Sequence, residues 1–214
     1  MSHDAKLLMR QFVTHDVQRL LLTRPEGLSW EPGQGIKLAI DRDDWREQGR
    51  PFTPTCLIED LLLELTIKRY PETDGVTEAL QALEPGANLL LGDAAFGTIT
   101  YQGPGTFIAA GTGVTPFLAI LRRLEKDGRL AGHRLLLSNK SSRDVICDAE
   151  LKDYLGDDLV LTFSREDEPE RERRRIDADF LDANIRDRDG YFYVCGPDGF
   201  VEAINAALLD LGVQ

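Results

Sequence analysis

The apolar pattern of this chain changes period at Gln102-Gly103-Pro104-Gly105, and that change limits the fold more than any other feature. Beyond it, β-type runs alternate with helix-type stretches. TFIAAG (106–111) leads into a helical pattern from Thr115, with Phe117, Ile120, Leu121 and Leu124 on one stripe. RLLLSN (134–139) is followed by DAELKDYL (148–155). LVLTFS (159–164) is followed by a polar loop and DADFLDANI (177–185), and GYFYVCG (190–196) by DGFVEAINAALLDLG (198–212). This alternation predicts an α/β unit: a parallel sheet with helices on both faces.

Before the change the apolar runs are short: RQFVTH, VQRLLLT, IKLAID, LLELTIKRY and NLLLGD. The turn signals RPEG, EPGQG and EPGAN separate them. Several short strands at this spacing predict a small antiparallel barrel or sandwich. One helix is expected there, over 76–83, with Thr77, Leu80 and Leu83 in register. The expected boundaries are therefore 1–102 and 103–214.

In a parallel sheet of this kind, ligands sit where the strands end. The loops from Gly111, Ser138, Ser164 and Cys195 meet that condition. The first, Gly111-Thr112-Gly113-Val114-Thr115-Pro116, joins a strand to a helix N-terminus, an arrangement that suits a phosphate. It lacks the Gly-Lys-Ser/Thr of a P-loop, and Pro116 stands near the third glycine of the usual dinucleotide fingerprint. Thr115 is expected to cap the helix and Pro116 to occupy its first turn, leaving the backbone of 111–114 to face an anion.

The totals exclude some classes. The 214 residues are 42% hydrophobic, enough for a real core, and carry a formal net charge of -12. With a sequence pI of about 4.7, neither nucleic acid nor an anionic membrane is an expected partner. No apolar run approaches a membrane span, and MSHDAKLLMRQF lacks the apolar stretch of a signal peptide. Three distant cysteines, Cys56, Cys147 and Cys195, argue against a disulfide framework or an iron–sulfur site and for a reducing, cytoplasmic setting. His3, His15 and His133 have no metal-ligand spacing, so no metal is expected. The basic cluster PERERRRI (169–176) reads as a solvated loop neutralised by its own acids, and Trp30 and Trp45 read as packing.

One stretch in the first half carries chemistry. Arg50-Pro51-Phe52-Thr53 puts a cation, an aromatic and a hydroxyl close together. In an extended chain Arg50 and Phe52 share a face. A flavin nucleotide needs a cation for its phosphate, a flat surface for its ring and a hydrogen bond near N5. Alone, Phe52 reads as barrel core before it reads as a ring contact. Further on, Gly75-Val76-Thr77 opens the expected helix of this half.

Together these motifs resemble those of the ferredoxin–NADP reductase superfamily, in its bacterial flavodoxin-reductase-like and cytochrome b5 reductase-like branches. Arg-x-aromatic-Thr (50–53), Gly-Val-Thr (75–77), Gly-Thr-Gly-Val-Thr-Pro (111–116), Ser-Asn-Lys-Ser-Ser-Arg-Asp (138–144) and Cys-Gly-Pro (195–197) follow the order of that superfamily. The resemblance implies an N-terminal FAD-binding β-barrel and a C-terminal nicotinamide-nucleotide domain with a parallel sheet. It implies that Arg50 pairs with the FAD pyrophosphate, that Pro51 and Phe52 lie along the isoalloxazine, and that Thr53 hydrogen-bonds near N5. Ile67 and Lys68 would run beside the ribityl chain, and Gly75, Val76 and Thr77 would give a second pyrophosphate contact. Gly111, Thr112, Gly113, Thr115 and Pro116 would hold the nicotinamide nucleotide, with Asn139 beside it. Cys195, Gly196, Pro197 and Asp198 would close the site, with Cys195 where nicotinamide meets flavin. Thr53 and Cys195 are thus the residues expected at the reacting atoms.

Ser164 and Arg165 resemble the pair by which NADP-using relatives hold the 2′-phosphate, although Glu166, Asp167 and Glu168 oppose an anion there. The donor is therefore NADPH or NADH. The implied acceptor is flavodoxin, ferredoxin or a small molecule. Many members of the superfamily continue beyond a sequence like LDLGVQ into a tail that covers the flavin; without one, an open flavin face is expected. Two other readings use the same residues: a flavin-binding electron-transfer subunit that does not itself turn over, and a nucleotide-binding α/β protein with a purely structural barrel.

Overall fold

The computed structural model describes residues 2–69, 75–96, 99–165 and 174–213. The first half forms β1 (Ser2–Phe12), β2 (Val17–Thr23), β3 (Gly35–Ile40), β4 (Arg50–Phe52), β5 (Leu62–Lys68), α1 (Val76–Gln81) and β6 (Asn88–Phe96). These strands make one sheet in the order β4-β3-β6-β1-β2-β5, every pairing antiparallel. An antiparallel bridge between Pro54 and Leu65, with the N–H of Thr55 donating to Glu64 O at 2.9 Å, brings the segment after β4 against β5. The two ends of the sheet therefore meet, and it curls into a barrel.

Leu7, Leu20, Leu22, Leu38, Leu63 and Leu65 fill the barrel, and Leu80 and Leu83 close it from α1 and the turn that follows. Trp30 is buried in this core and Trp45 packs against it, as their reading as packing residues requires. β1 begins earlier than the apolar run RQFVTH suggests and ends at Phe12, with Val13 N–H bonded to Val17 O in the turn. The reason is local. Between Asp4 and Leu8 only Ala5 and Leu7 point inward, so the period of two has almost no apolar signal.

The second half forms β7 (Gly105–Ala110), α2 (Thr115–Lys126), β8 (Arg134–Asn139), α3 (Asp148–Leu155), β9 (Leu159–Phe163), α4 (Ala178–Asn184), β10 (Tyr191–Cys195) and α5 (Asp198–Asp210). Its four strands are parallel, in the order β10-β7-β8-β9. Phe107, Leu135, Leu137 and Tyr193 face α2 and α3, while Ile108 and Leu136 face α4 and α5. Helices thus cover both faces, as strand–helix alternation requires. No described helix is long and apolar enough to cross a membrane.

The two halves are joined by side chains that cross between them. Val17 of β2 and Ile99 belong to the core under α2. The hydroxyl of Tyr193 accepts from the N–H groups of Gln102 and Gly103, each at 3.0 Å, and donates to Gly103 O at 2.8 Å. This one oxygen satisfies three backbone groups where the apolar period changes. Tyr193→Phe should leave them unpaired and lower unfolding stability by about 1–3 kcal/mol. Urea denaturation checks this; an unchanged midpoint would mean that water replaces the hydroxyl.

Candidate functional site

The strand order fixes where a ligand can enter. The chain runs from β7 to β8 and β9 on one side, then returns to place β10 on the other. The crevice beyond the ends of β7 and β10 is the switch point of the sheet, where ligands of open α/β sheets sit. A cleft of about 650 Å³ opens there. Gly111, Thr112, Gly113, Asn139, Ser164 and Cys195 line it from the α/β half, with Gly196 and Pro197. Lys68 and Val17 line it from the barrel.

The glycines are there for contact. A Cβ on Gly113 would lie 2.3 Å from the carbonyl oxygen of Cys195, and one on Gly196 would lie 2.7 Å from the Phe200 ring. The turn over Gly111–Val114 is a 3₁₀ turn that runs directly into α2. Val114, not Thr115, is the N-cap, because Thr115 already has helical dihedrals and its Oγ1 turns back to donate to Thr112 O at 3.0 Å. The expected cap is thus displaced by one residue, and the Thr115 hydroxyl closes the turn instead. Pro116 is buried in the first turn of α2.

The polar groups around the cleft are arranged by the sheet. The N–H of Ser164 donates to Asn139 O and that of Arg165 to Lys140 O, both at 2.9 Å, which holds the ends of β8 and β9 together. Asn139 is 6% exposed, yet its Nδ2 has no partner among the described residues. Lys68 pairs with Asp16 at 2.7 Å. Burial opposes the charge on Asp16, but the bond to Lys68 outweighs it and holds that carboxyl below its ordinary value. Burial pushes the Cys195 thiol up, so it stays protonated at neutral pH and serves as a soft apolar contact rather than a nucleophile.

The other residues singled out in the sequence lie outside this cleft. Arg50 and Phe52 sit on β4 opposite Leu38 and Ile36, on one face as expected. Arg50 is exposed and unpaired among the described residues, and Thr53 makes no side-chain hydrogen bond there. Phe52 packs against the barrel core and remains partly exposed, while Pro51 is exposed. Ile67 points into the barrel, so only its backbone faces outward; its carbonyl accepts from Gln81. Gly75 is the extended N-cap of α1, followed by buried Val76 and half-buried Thr77. Arg165 and Asp198 are exposed near the cleft ends of β9 and β10. Glu166 to Arg173, which hold most of PERERRRI, lie outside the described residues.

Sequence reasoning missed Val17, Asp144 and Ile146, which also line the cleft. Nothing local marks Val17 or Ile146, whose place depends on how the halves dock. Asp144 lies within the quoted 138–144 segment, but its carboxylate accepts from the N–H and hydroxyl of Ser141. It also meets His15 and Asp16, the one group among the described residues able to gather around a metal ion. Lys68 already occupies Asp16 Oδ2. All three cysteines are free thiols.

Residues 107–206 match the oxidoreductase NAD-binding domain family, so the α/β half is a nucleotide-binding unit of the oxidoreductase kind. With the barrel in front of it, the chain is similar along most of its length to NAD(P)H-dependent reductases. The reductase component of the naphthalene 1,2-dioxygenase system of Pseudomonas putida is 24% identical, over 100% of this chain and 68% of its own length. Rat NADH-cytochrome b5 reductase 3 is 28% identical over 71% of this chain and 61% of its own. A ferredoxin NADP+ reductase from Neisseria gonorrhoeae, solved with bound FAD and NADP, superposes with a TM-score of 0.84 at 19% identity, covering 99% of this chain and 94% of its own. The chain spans 68%, 51% and 62% of the length of the first curated relatives it matches.

Gly113→Ala should force the turn away from Cys195 and lower stability by about 1–3 kcal/mol, since the atoms it meets are backbone. Gly199→Ala in α5 meets nothing within 4 Å and should be neutral or slightly stabilising. Denaturation midpoints of the two variants decide; equal midpoints would show that the turn yields freely.

Proposed function

We propose that residues 1–102 hold FAD, that residues 103–214 hold a nicotinamide dinucleotide, and that the chain moves reducing equivalents from NAD(P)H through the flavin to an acceptor. The observation that carries this reading is the switch-point cleft, where the Gly111–Val114 turn packs on Cys195 and opens toward Lys68 of the barrel. When bound, the two cofactors supply the hydride chemistry itself. The protein has to bind them, align them and exclude water.

The residues present suit those tasks. The Arg50 guanidinium, unpaired among the described residues, suits a pyrophosphate, and the Thr53 hydroxyl suits a ring-edge hydrogen bond. Phe52 and Pro51 offer a flat apolar edge, and Ile67 and Lys68 lie on β5, the strand that the segment after β4 joins at the closing seam of the barrel. Gly75, Val76 and Thr77 add the N-terminus of α1. In the α/β half, the turn from Gly111 to Thr115 and Pro116 meets the dinucleotide phosphates, and the unpartnered Nδ2 of Asn139 donates to it. Cys195 and the Gly196, Pro197 and Asp198 turn bound the nicotinamide end.

Ser164 and Arg165 support NADPH over NADH, because a hydroxyl and an exposed guanidinium suit a phosphate monoester. The acceptor is a protein such as a flavodoxin or ferredoxin, or a small molecule. A net charge of -12 disfavours long-range attraction of an acidic protein unless a basic face is presented to it. Three free cysteines support a reducing, cytoplasmic setting.

An anaerobic visible spectrum of the FAD-loaded protein, titrated with NADPH and NADH, tests the proposal. Bleaching of the flavin band is expected, faster with NADPH. Bound flavin without bleaching would replace the enzyme by a flavin-carrying subunit, and no flavin binding would leave the barrel structural. Arg165→Ala should raise the Michaelis constant for NADPH about 10-fold or more and leave NADH unchanged. Unchanged constants for both would remove the 2′-phosphate role.

A further inference from the structure

We propose that Arg122 is a positioning residue: its guanidinium ties the segment that follows Arg50–Thr53 to the helix that follows the Gly111–Val114 turn, and so sets the alignment of the two cofactor sites. The inference rests on the flavin–nicotinamide reading above.

The geometry is specific. Arg122 lies on α2, seven residues or about 10 Å along the helix from Thr115. Its Nη1 donates to the carbonyl of Thr55 and to Glu64 Oε1, both at 2.7 Å. Its Nε and Nη2 donate to the two carboxylate oxygens of Glu150 on α3, at 2.6 and 2.9 Å. Thr55 is two residues beyond Thr53, and Glu64 stands beside it on β5, where the hydroxyl of Thr55 donates to Glu64 Oε1 at 2.6 Å. One planar group thus holds the closing seam of the barrel against both helices on one face of the parallel sheet.

The surroundings make the tie rigid. The Arg122 side chain is 17% exposed, Glu64 14% and Glu150 25%. Arg19 on β2 meets the other oxygen of Glu64 at 3.3 Å, and Tyr154 donates to Glu150 Oε1 at 3.1 Å. Arg19 and Arg122 balance Glu64 and Glu150, so the cluster is half-buried with no excess charge. A second set of ions also crosses the halves, with Glu59 facing Arg123 and Lys126. That set is more exposed, at 27–50%, and more open to screening by salt, so it fixes an angle less well. Lysine at 122 would keep the charge but could not meet all these acceptors at once.

Alignment matters because a hydride moves only between atoms held about 3–3.5 Å apart, and a 1 Å misplacement costs about 10²-fold in rate. A tie of this kind should act on the rate of transfer and not on the affinity for either cofactor. No group in the cluster lines the cleft, and none belongs to the Arg50–Thr53 segment.

The test uses Arg122→Lys and the double variant Arg122→Met/Glu150→Gln, which removes the fork and its buried partner together and leaves no bare charge between them. Each FAD-loaded protein is reduced anaerobically by NAD(P)H in a stopped-flow instrument, with the long-wavelength absorbance of stacked nicotinamide and flavin recorded alongside. Spin labels at Glu26→Cys and Asp210→Cys, both exposed sites on opposite halves, report the spread of distances in flavin-free protein by pulsed resonance. In the double variant, flavin and nucleotide affinities should stay within about twofold, the limiting reduction rate should fall about 10–100-fold, the stacking band should weaken and the distances should broaden. Arg122→Lys should fall between it and the wild type. A double variant reduced as fast as wild type, or with an equally narrow distance distribution, overturns the positioning role alone. A wild-type flavin that neither nucleotide reduces overturns the functional reading, and this role with it.

Discussion

The approach of Gly113 to the backbone of Cys195 and Gly196 is the contact on which the site depends. Parallel strands leave a crevice only where the chain changes direction across the sheet, and here that place lies between β7 and β10. The turn after β7 must come down onto the end of β10 for the cleft to have a floor. A side chain at 113 would meet carbonyl and Cα atoms that cannot move aside, so the sequence carries glycine there. The same closeness lets the turn pass into α2 without a separate cap, and it releases the Thr115 hydroxyl to brace the turn from within.

Charge is handled differently at the surface and in the joint between the halves. The chain carries an excess of acid, yet the half-buried cluster of Arg19, Arg122, Glu64 and Glu150 is balanced. Burial opposes the charge on Glu150, and the bond and charge of Arg122 overcome it, holding that carboxyl below its ordinary range. Burial likewise works against the Arg122 guanidinium, and its two carboxylate partners raise its pKa despite that. Such a cluster adds less to stability than an apolar joint of equal volume would. What it adds is direction, since hydrogen bonds specify an angle and apolar contact does not. Lys68, by contrast, is neutralised by Asp16 at the edge of the cleft, so among the described residues the cations left unpaired on the barrel include Arg50.

Most of the architecture was legible because it is local. Strand–helix alternation after Gly105 gave the parallel sheet, DAELKDYL marked α3 to the residue, and the glycines and Cys-Gly-Pro lie on the strand ends that line the cleft. β1 was less legible, since alanine at position 5 gives too weak an alternation to reveal a strand. The Thr115 cap failed for a related reason: threonine before proline suits an N-cap, but the 3₁₀ turn had already supplied one at Val114. Val17, Ile146 and the Arg122 cluster were invisible because their partners lie on other elements. Arg122 in LAILRRLEK reads as one more solvent-facing arginine until Thr55, Glu64 and Glu150 are brought to it.

The residues expected around a flavin and those expected around a nicotinamide nucleotide do not line one cavity in this structure. Arg50, Phe52 and Thr53 stand on β4, while the cleft touches the barrel at Lys68 and Val17. What connects them is a short hydrogen-bonded seam. Pro54 and Thr55 carry the β4 segment onto β5, and β5 ends at Lys68 on the rim of the cleft. A displacement of β5 therefore moves the β4 residues and Lys68 together, whereas a displacement of α2 moves the Gly111–Val114 turn. The relation between the two sites is set by whatever holds α2 to β5. In the described residues the partly buried groups that do so by directed bonds are Arg122 and its acceptors, which is why an arginine outside both sites governs how they face each other.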